Sequence, residues 1–198
     1  MCLIIKTHNK DIKLSISLTK KFYPETLPGN LNGSDIEMSN ISLENKKVLI
    51  VDDESDVLDS LEELLDMCTI VRAQSFEEAN NLLETQVFDI AILDIMGVDG
   101  YQLLEIANKK NIIPVMLTAH ALSPDNIKKS YLGGACSYIP KEEMINIETF
   151  LMDVLNAKKE GKNPWTDWYK RLGAFCEDKF GPDWDKDEKE FWEKMIYY

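Results

Sequence analysis

The chain has 198 residues, of which 44% are hydrophobic, and its formal net charge at pH 7 is −13. This length allows one medium-sized domain with extensions, and the hydrophobic content is sufficient for a buried core, which excludes wholesale disorder. The negative charge argues against a nucleic-acid-binding protein, because contacts with phosphates need clustered lysine and arginine.

The cysteines of this sequence are far apart and form no Cys-x-x-Cys pair; they are Cys2, Cys68, Cys136 and Cys176. Their spacing argues against structural disulfides and a zinc site, and is typical of a protein from a reducing cytosol. No apolar run approaches the roughly 18–20 residues that span a membrane, and the apolar stretch at the first residues is too short for a signal peptide. We therefore expect a cytoplasmic protein with no membrane insertion.

Residues 1–44 are predicted to form an N-terminal extension. Within them, Ile12, Leu14 and Ile16 alternate with polar residues, which is the period of a half-buried strand. This strand could pair with residues 3–5 as a hairpin. An isolated hairpin is marginally stable in water, so a disordered extension is the alternative.

Residues 45–160 alternate between short apolar segments and amphipathic segments with helical spacing. Five strands are predicted, at residues 48–51, 69–71, 88–93, 113–117 and 135–139. Ser75 and Ser123 are predicted to cap two of the intervening helices, and a last helix is expected from Glu142 onward. Continuously apolar strands separated by helices predict an α/β fold with a doubly wound parallel sheet that is covered on both faces.

Residues 161–198 contain all four tryptophans and ten of the eighteen aromatic residues. The aromatic spacing predicts two short helices, at 164–178 and 184–196, each with an apolar face that needs a partner. We expect this aromatic-rich helical tail to pack back on the preceding domain or across a homodimer. Completing the core beneath the last helix and reading out the state of the domain are both open roles for it.

Polar residues that could bind a ligand or take part in a reaction lie at the carboxyl ends of the predicted strands. These residues are Asp52, Asp53, Asp94, Thr118 and Lys141. In a doubly wound sheet the strand ends converge on one edge, where ligands bind. Crowded carboxylates repel one another unless a cation lies between them, and a hard, oxygen-bound ion such as Mg²⁺ suits them. A lysine and a hydroxyl group beside a metal-bound carboxylate are what an acyl phosphate needs for charge stabilisation.

Five motifs in this order resemble the receiver domain of two-component response regulators, which are CheY-like proteins. They are Val-Leu-Ile-Val-Asp-Asp-Glu (48–54), Ile-Leu-Asp-Ile-Met (92–96), Asp99-Gly100, Leu-Thr-Ala (117–119) and Tyr-Ile-Pro-Lys (138–141). The resemblance covers residues 45–160 and neither end of the chain. It implies a flavodoxin-like sheet with strand order 2-1-3-4-5 and helices on both faces.

The resemblance also implies a role for each of these residues. Asp94 would accept a phosphoryl group from the phosphohistidine of a sensor histidine kinase or a phosphotransfer protein. Mg²⁺ would be bound by Asp53, Asp94 and the backbone carbonyl of Met96, with Asp52 contributing directly or through water. Lys141 would pair first with the carboxylate and then with the phosphoryl group. Thr118 would move toward the phosphate, and Tyr138 would follow it inward as an aromatic switch.

The function implied is that of a single-domain response regulator in a phosphorelay. Such a protein is a phosphoacceptor that promotes its own phosphorylation and dephosphorylation, with no separate catalytic domain. Its output would pass through protein–protein contacts, either with a downstream target or in a homodimer. Neither the size nor the charge of the tail suits a DNA-binding domain, so no nucleic-acid partner is expected.

The segment after Asp94 departs from the family pattern. Most receivers have a proline four residues after the acceptor aspartate and a longer loop before the Asp-Gly pair. Here the loop is two residues shorter and has Val98 at that position, with Gly97 supplying conformational freedom.

Two other functions are compatible with parts of the sequence. A pseudo-receiver would serve as a scaffold without being phosphorylated. A phosphatase of the haloacid-dehalogenase type also uses an aspartate nucleophile after a strand, but it needs a second aspartate two residues later, where this chain has Met96.

Overall fold

The computed structural model describes residues 41–119, 122–186 and 188–197. The predicted N-terminal hairpin falls within residues 1–40 and lies outside the described residues. The described strands are β1 (Lys47–Val51), β2 (Thr69–Ala73), β3 (Ile90–Asp94), β4 (Ile113–Thr118) and β5 (Ser137–Pro140). The described α-helices are α1 (Ser55–Leu64), α2 (Phe76–Thr85), α3 (Gly100–Lys109), α4 (Pro124–Leu132), α5 (Ile147–Glu160), α6 (Trp165–Phe180) and α7 (Lys189–Tyr197).

The five strands form one sheet in the order β2-β1-β3-β4-β5, and all neighbouring strands are parallel. The predicted doubly wound α/β fold and its strand order are therefore confirmed. β2 and β3 lie on opposite sides of β1, so the chain crosses the sheet in two opposite directions. Because the connections between parallel strands are right-handed, this arrangement places helices on both faces of the sheet. Every residue of β3 is buried, which explains why this strand is continuously apolar up to its terminal aspartate.

Two helix starts follow from local sequence chemistry. The Ser75 hydroxyl accepts a hydrogen bond from Glu78 N at 3.2 Å, and the Ser123 hydroxyl accepts one from Asn126 N at 3.2 Å. The helix predicted from Glu142 begins later: residues Lys141–Asn146 form a 3₁₀ turn, and α5 starts at Ile147. The polar spacing of this segment did not distinguish the tighter turn from the first turn of an α-helix.

The aromatic-rich tail forms two helices, α6 and α7, as predicted, although α7 begins at Lys189 rather than near residue 184. One face of α6 is buried; its buried residues are Trp165, Trp168, Leu172 and Cys176. This face packs on β5 and α4, where the rings of Trp165 and Tyr131 meet edge to face with centroids 5.5 Å apart. The tail therefore covers the β5 edge of the sheet.

None of the helices in the described part of the chain is long and apolar enough to cross a membrane.

Candidate functional site

Strand register brings the predicted site residues to one edge of the sheet. Val51 in β1 is level with Leu93 in β3, so the next residue of each strand, Asp52 and Asp94, are neighbours. Asp94 is in turn level with Leu117 of β4, and Thr118 at the end of β4 is level with Pro140 of β5. Thr118 and Lys141 consequently follow on the other side of Asp94. All of them lie at the carboxyl ends of the strands, as ligand-binding residues of such sheets do.

Lys141 is the cation that holds this edge together. Its Nζ lies 2.8 Å from Asp52 Oδ2, 2.8 Å from Glu54 Oε1 and 3.3 Å from Asp94 Oδ1, and its side chain is 12% exposed. Burial alone would lower the pKa of Lys141, but the three carboxylates outweigh burial and raise it. Lys141 is therefore charged and shared among three acids.

Asp52 is fully buried and has unequal partners for its two oxygens. Oδ1 accepts a hydrogen bond from Glu54 N at 3.0 Å. Oδ2 contacts Lys141 as an ion pair but accepts no aligned hydrogen bond from a described group. Burial raises the pKa of Asp52, and the contacts with Lys141 and Glu54 N oppose that rise.

Asp94 is 3% exposed and carries the clearest shift among the described carboxyls. Burial, followed by the charge of Asp52, raises the pKa of Asp94 to about 6, against the lowering effect of Lys141. Its Oδ2 accepts a hydrogen bond from Met96 N at 2.8 Å. The carboxylate is ionised above that pH and is held in one orientation, as a nucleophile in phosphoryl transfer needs to be.

A cleft of about 180 Å³ opens at this edge; its lining residues are Asp53, Glu54, Asp94, Met96, Gly97, Ala119 and Lys141. Asp53 is exposed on the β1–α1 loop and faces the loop after β3, where its carboxylate abuts Gly97. The cleft thus joins three acidic side chains with one lysine, and two of the three, Asp53 and Glu54, are exposed.

Thr118 and Tyr138 lie on the inner side of the site. Thr118 is 1% exposed at the end of β4, and Tyr138 in β5 is completely buried. Burial raises the pKa of Tyr138 well above its usual value, while a hydrogen bond with the Thr118 side chain opposes the rise. The resemblance implied that Tyr138 moves inward together with Thr118; in this structure the ring already occupies the interior.

The donor set suits a hard divalent cation. Asp53 and Asp94 both line the same cleft, and Met96 lies in its wall. Within the described residues, no three His, Cys, Asp or Glu side chains are arranged as a ready-made metal cluster. Two carboxylates in one cleft fit an ion such as Mg²⁺, because it keeps several water ligands and uses few protein ones.

Two residues of the site were not among the sequence-based candidates. Glu54 contacts Lys141 directly, and its position after the Asp52-Asp53 pair is the signal that could have revealed it. Gly97 lies against the Asp53 carboxylate. The sign of Gly97 in the sequence was that the loop between Asp94 and the Asp99-Gly100 pair is shorter than in the family pattern.

The part of the chain that carries this site is similar to known proteins. A family model described as the response regulator receiver domain matches residues 48–149. The two-component response regulator ARR18 of Arabidopsis thaliana is 35% identical over 101 residues, which are 48% of this chain and 16% of that protein. The probable transcriptional regulator ycf27 of Guillardia theta is 42% identical over 107 residues, which are 51% of this chain and 42% of that protein. The matches thus span less than half the length of these relatives.

Solved structures of receiver domain proteins are also similar to this chain. A CheY-like response regulator receiver domain protein from Methanospirillum hungatei is 25% identical with a TM-score of 0.50, and the match covers 58% of this chain and 99% of that one. A response regulator receiver domain protein from Clostridium thermocellum is also 25% identical with a TM-score of 0.50, over 58% of this chain and 97% of that one.

Proposed function

The chain belongs to the response regulator receiver domain family, and on this premise we propose that Asp94 accepts a phosphoryl group from a phosphohistidine. The donor would be a sensor histidine kinase or a phosphotransfer protein of a phosphorelay. The observation that supports this proposal most strongly is the placement of Asp94, which ends the central strand, is almost fully buried and lies 3.3 Å from Lys141 Nζ.

The transfer itself needs little from the protein beyond position and charge. An oxygen of Asp94 attacks phosphorus in line with the bond to the imidazole nitrogen; the P–N bond breaks and an acyl phosphate forms. Lys141 would exchange its contact with the carboxylate for one with a phosphoryl oxygen. Thr118, at the end of β4, would donate a hydrogen bond from its hydroxyl group to another phosphoryl oxygen. The carboxylate has to be ionised for this attack, and in the metal-free chain burial and the charge of Asp52 raise the pKa of Asp94 and so oppose its ionisation.

Receiver domains typically bind Mg²⁺ in their acidic pocket. In this chain Asp53, Asp94 and the Met96 carbonyl would hold the ion, with Asp52 contributing directly or through water. Mg²⁺ would supply positive charge against the phosphoryl oxygens. Asp52 and Glu54 would keep Lys141 at the cleft while it exchanges its contact with Asp94 for one with the phosphoryl group, because both carboxylates lie 2.8 Å from Nζ.

Receiver domains are generally phosphoacceptors rather than enzymes with a catalytic domain of their own. For this chain we propose the same: it promotes its own phosphorylation and dephosphorylation. We further propose that it signals through protein–protein contacts, with a downstream protein or a second copy, and not through nucleic acid. The net charge of −13 supports the last point.

The tail is the element we propose for output. Tyr138 connects the two regions, because its side chain contacts Thr118 at the site and its main-chain carbonyl accepts a hydrogen bond from Trp168 of α6. A change at Thr118 on phosphorylation would therefore reach the tail through one residue.

Acetyl phosphate with Mg²⁺ tests the proposal, with phosphorylation measured by intact mass. The wild-type chain should gain one phosphoryl group, and Asp94→Asn should gain none. Asp89→Asn is a matched control, because Asp89 precedes the other end of the same strand and pairs with Lys46. It should be labelled like the wild type. Labelling that survives Asp94→Asn would contradict the acceptor assignment, and a folded wild type that is never labelled would indicate a pseudo-receiver.

A further inference from the structure

The loop between β3 and α3 reverses through an unusually tight turn. Val98 N donates a hydrogen bond to the Met96 carbonyl at 2.8 Å, and Gly97 between them has φ of +75°. A bond between residues i and i+2 with a positive φ at the central residue defines a rare, strained type of γ-turn. Glycine adopts this φ without steric cost. The turn is how a loop two residues shorter than the family pattern reverses direction.

The loop then runs directly along the end of β3. A Cβ added at Gly100 would lie 1.9 Å from the Asp94 carbonyl oxygen, so a side chain is excluded there as well. The Met96 carbonyl has two lone pairs, of which Val98 N uses one, so this hydrogen bond is compatible with a metal contact. The shortened loop thus has little freedom to move away from the cleft.

The Asp53 carboxylate occupies the space in front of this turn. A Cβ built on Gly97 would lie 2.5 Å from Asp53 Cγ, 2.5 Å from Oδ2 and 2.6 Å from Oδ1. These distances are far below van der Waals contact, so any side chain at residue 97 would displace the carboxylate. Asp53 is the partner that would move, because it is exposed whereas the loop backbone is pinned at both Val98 and Gly100.

We propose that Gly97 is a positioning residue for the cation site: by lacking a side chain, it lets the short loop and the Asp53 carboxylate share one space. Asp53 then faces the cleft beside Asp94, where a divalent cation would contact both. This proposal rests on the proposed function, since it takes Asp53 as a ligand of that cation. It also explains how the site keeps its acidic pair despite the shortened loop.

The test compares Gly97→Ala with Gly161→Ala in the full chain, using calorimetric titration with Mg²⁺. Gly161 is a matched control because its φ is +64° and a Cβ there meets nothing within 4 Å. Both variants carry the backbone strain, but only Gly97→Ala displaces Asp53. We expect Mg²⁺ affinity to fall about 10- to 100-fold in Gly97→Ala, the usual range when a residue that orients a metal ligand is changed, and to stay at the wild-type value in Gly161→Ala. Unchanged affinity in Gly97→Ala would overturn the proposal.

A second measurement tests the steric contact without any metal. Gly97→Ala is introduced with Asp53 present and with Asp53→Ala, and urea unfolding is followed in the presence of a chelator. If the alanine and the carboxylate collide, Gly97→Ala should raise the unfolding equilibrium constant more when Asp53 is present than when it is replaced by alanine. The two increases should differ by about twofold or more. An identical response in both backgrounds would overturn the contact argument.

The two proposals fail in different ways. Wild-type chain that is labelled by acetyl phosphate while Gly97→Ala keeps its Mg²⁺ affinity would overturn the role of Gly97 alone. Wild-type chain that binds no Mg²⁺ would overturn the role of Gly97 together with the metal part of the proposed function.

Discussion

The indole nitrogen of Trp168 donates a hydrogen bond to the main-chain carbonyl of Tyr138, the residue whose side chain reaches Thr118. β5 is an edge strand, so its outer polar groups need partners other than a neighbouring strand. Trp165, three residues earlier in α6, meets the same need at the other end by donating to the Ala135 carbonyl at 2.9 Å. The tail therefore takes the place that a sixth strand would occupy.

Trp168→Phe should destabilise the chain by about 1–3 kcal/mol more than a ring change alone, because it leaves a buried carbonyl without its donor. Urea unfolding measures the loss. Trp192→Phe is the control for ring size, since Trp192 is buried in the aromatic cluster through ring contacts with Trp184 at 4.7 Å and Phe191 at 5.0 Å. Equal losses in the two variants would show that the hydrogen bond contributes nothing measurable.

The contribution of Asp94 to the stability of the metal-free chain should fall as the pH rises from about 4 to above 6. The pKa of Asp94 is raised from 3.8 to about 6 in the folded chain, so the folded state binds this proton more tightly than the unfolded state. Protonation therefore stabilises the fold, and ionisation removes that contribution. Asp94→Asn resembles the protonated form and should be more stable than the wild type by about 2–3 kcal/mol at pH 7.5, with the difference vanishing near pH 4.

Asp89→Asn should behave in the opposite sense. Burial would raise the pKa of Asp89, but its hydrogen bonds with Lys47 N and Lys46 outweigh burial and lower the pKa. Its stabilising contribution is therefore present at neutral pH and lost on acidification, so the variant should be less stable than the wild type at pH 7.5. A pH profile of unfolding that is unaffected by Asp94→Asn would show that another group dominates the titration.

Asp53→Ala should abolish Mg²⁺ binding, because it removes an oxygen ligand that faces the cleft. In a chelator its stability should stay within about 0.5 kcal/mol of the wild type, since the side chain is exposed. Added Mg²⁺ should then raise the thermal midpoint of the wild type but not of this variant. Asp66→Ala removes another exposed carboxylate, just after the end of α1, and should leave the Mg²⁺ response intact. Stabilisation by Mg²⁺ that persists in Asp53→Ala would contradict this ligand.

The fold could be predicted because its signals are local. Continuous apolar strands and the serine caps at Ser75 and Ser123 depend on neighbouring residues only, and they gave the strand order once the family resemblance was recognised. The 3₁₀ turn at Lys141–Asn146 could not be predicted, because its polar spacing does not distinguish it from the first turn of an α-helix. The contact between Asp53 and Gly97 likewise joins two loops 44 positions apart, and no local pattern encodes such a distance.

The role of the tail can be tested by ending the chain after Lys159. The structure shows that α6 packs on β5, with Trp165 and Trp168 each 2% exposed. Removing a single buried tryptophan side chain typically costs about 3–5 kcal/mol, so losing both should leave the truncated chain much less stable. The uncovered face should also drive self-association, because large exposed apolar patches do. Urea unfolding and sedimentation measure these two effects.

Coupling to the site needs a readout in the full-length chain, because truncation alone cannot separate a structural role from a regulatory one. Acetyl phosphate should change amide hydrogen exchange in α6 more than in α2, since α6 donates a hydrogen bond to Tyr138, which in turn contacts Thr118. Asp94→Asn treated in the same way supplies the baseline and should show no change in either helix. If the truncated chain is stable and monomeric, and exchange in α6 is the same before and after labelling, the tail neither completes the fold nor carries the output.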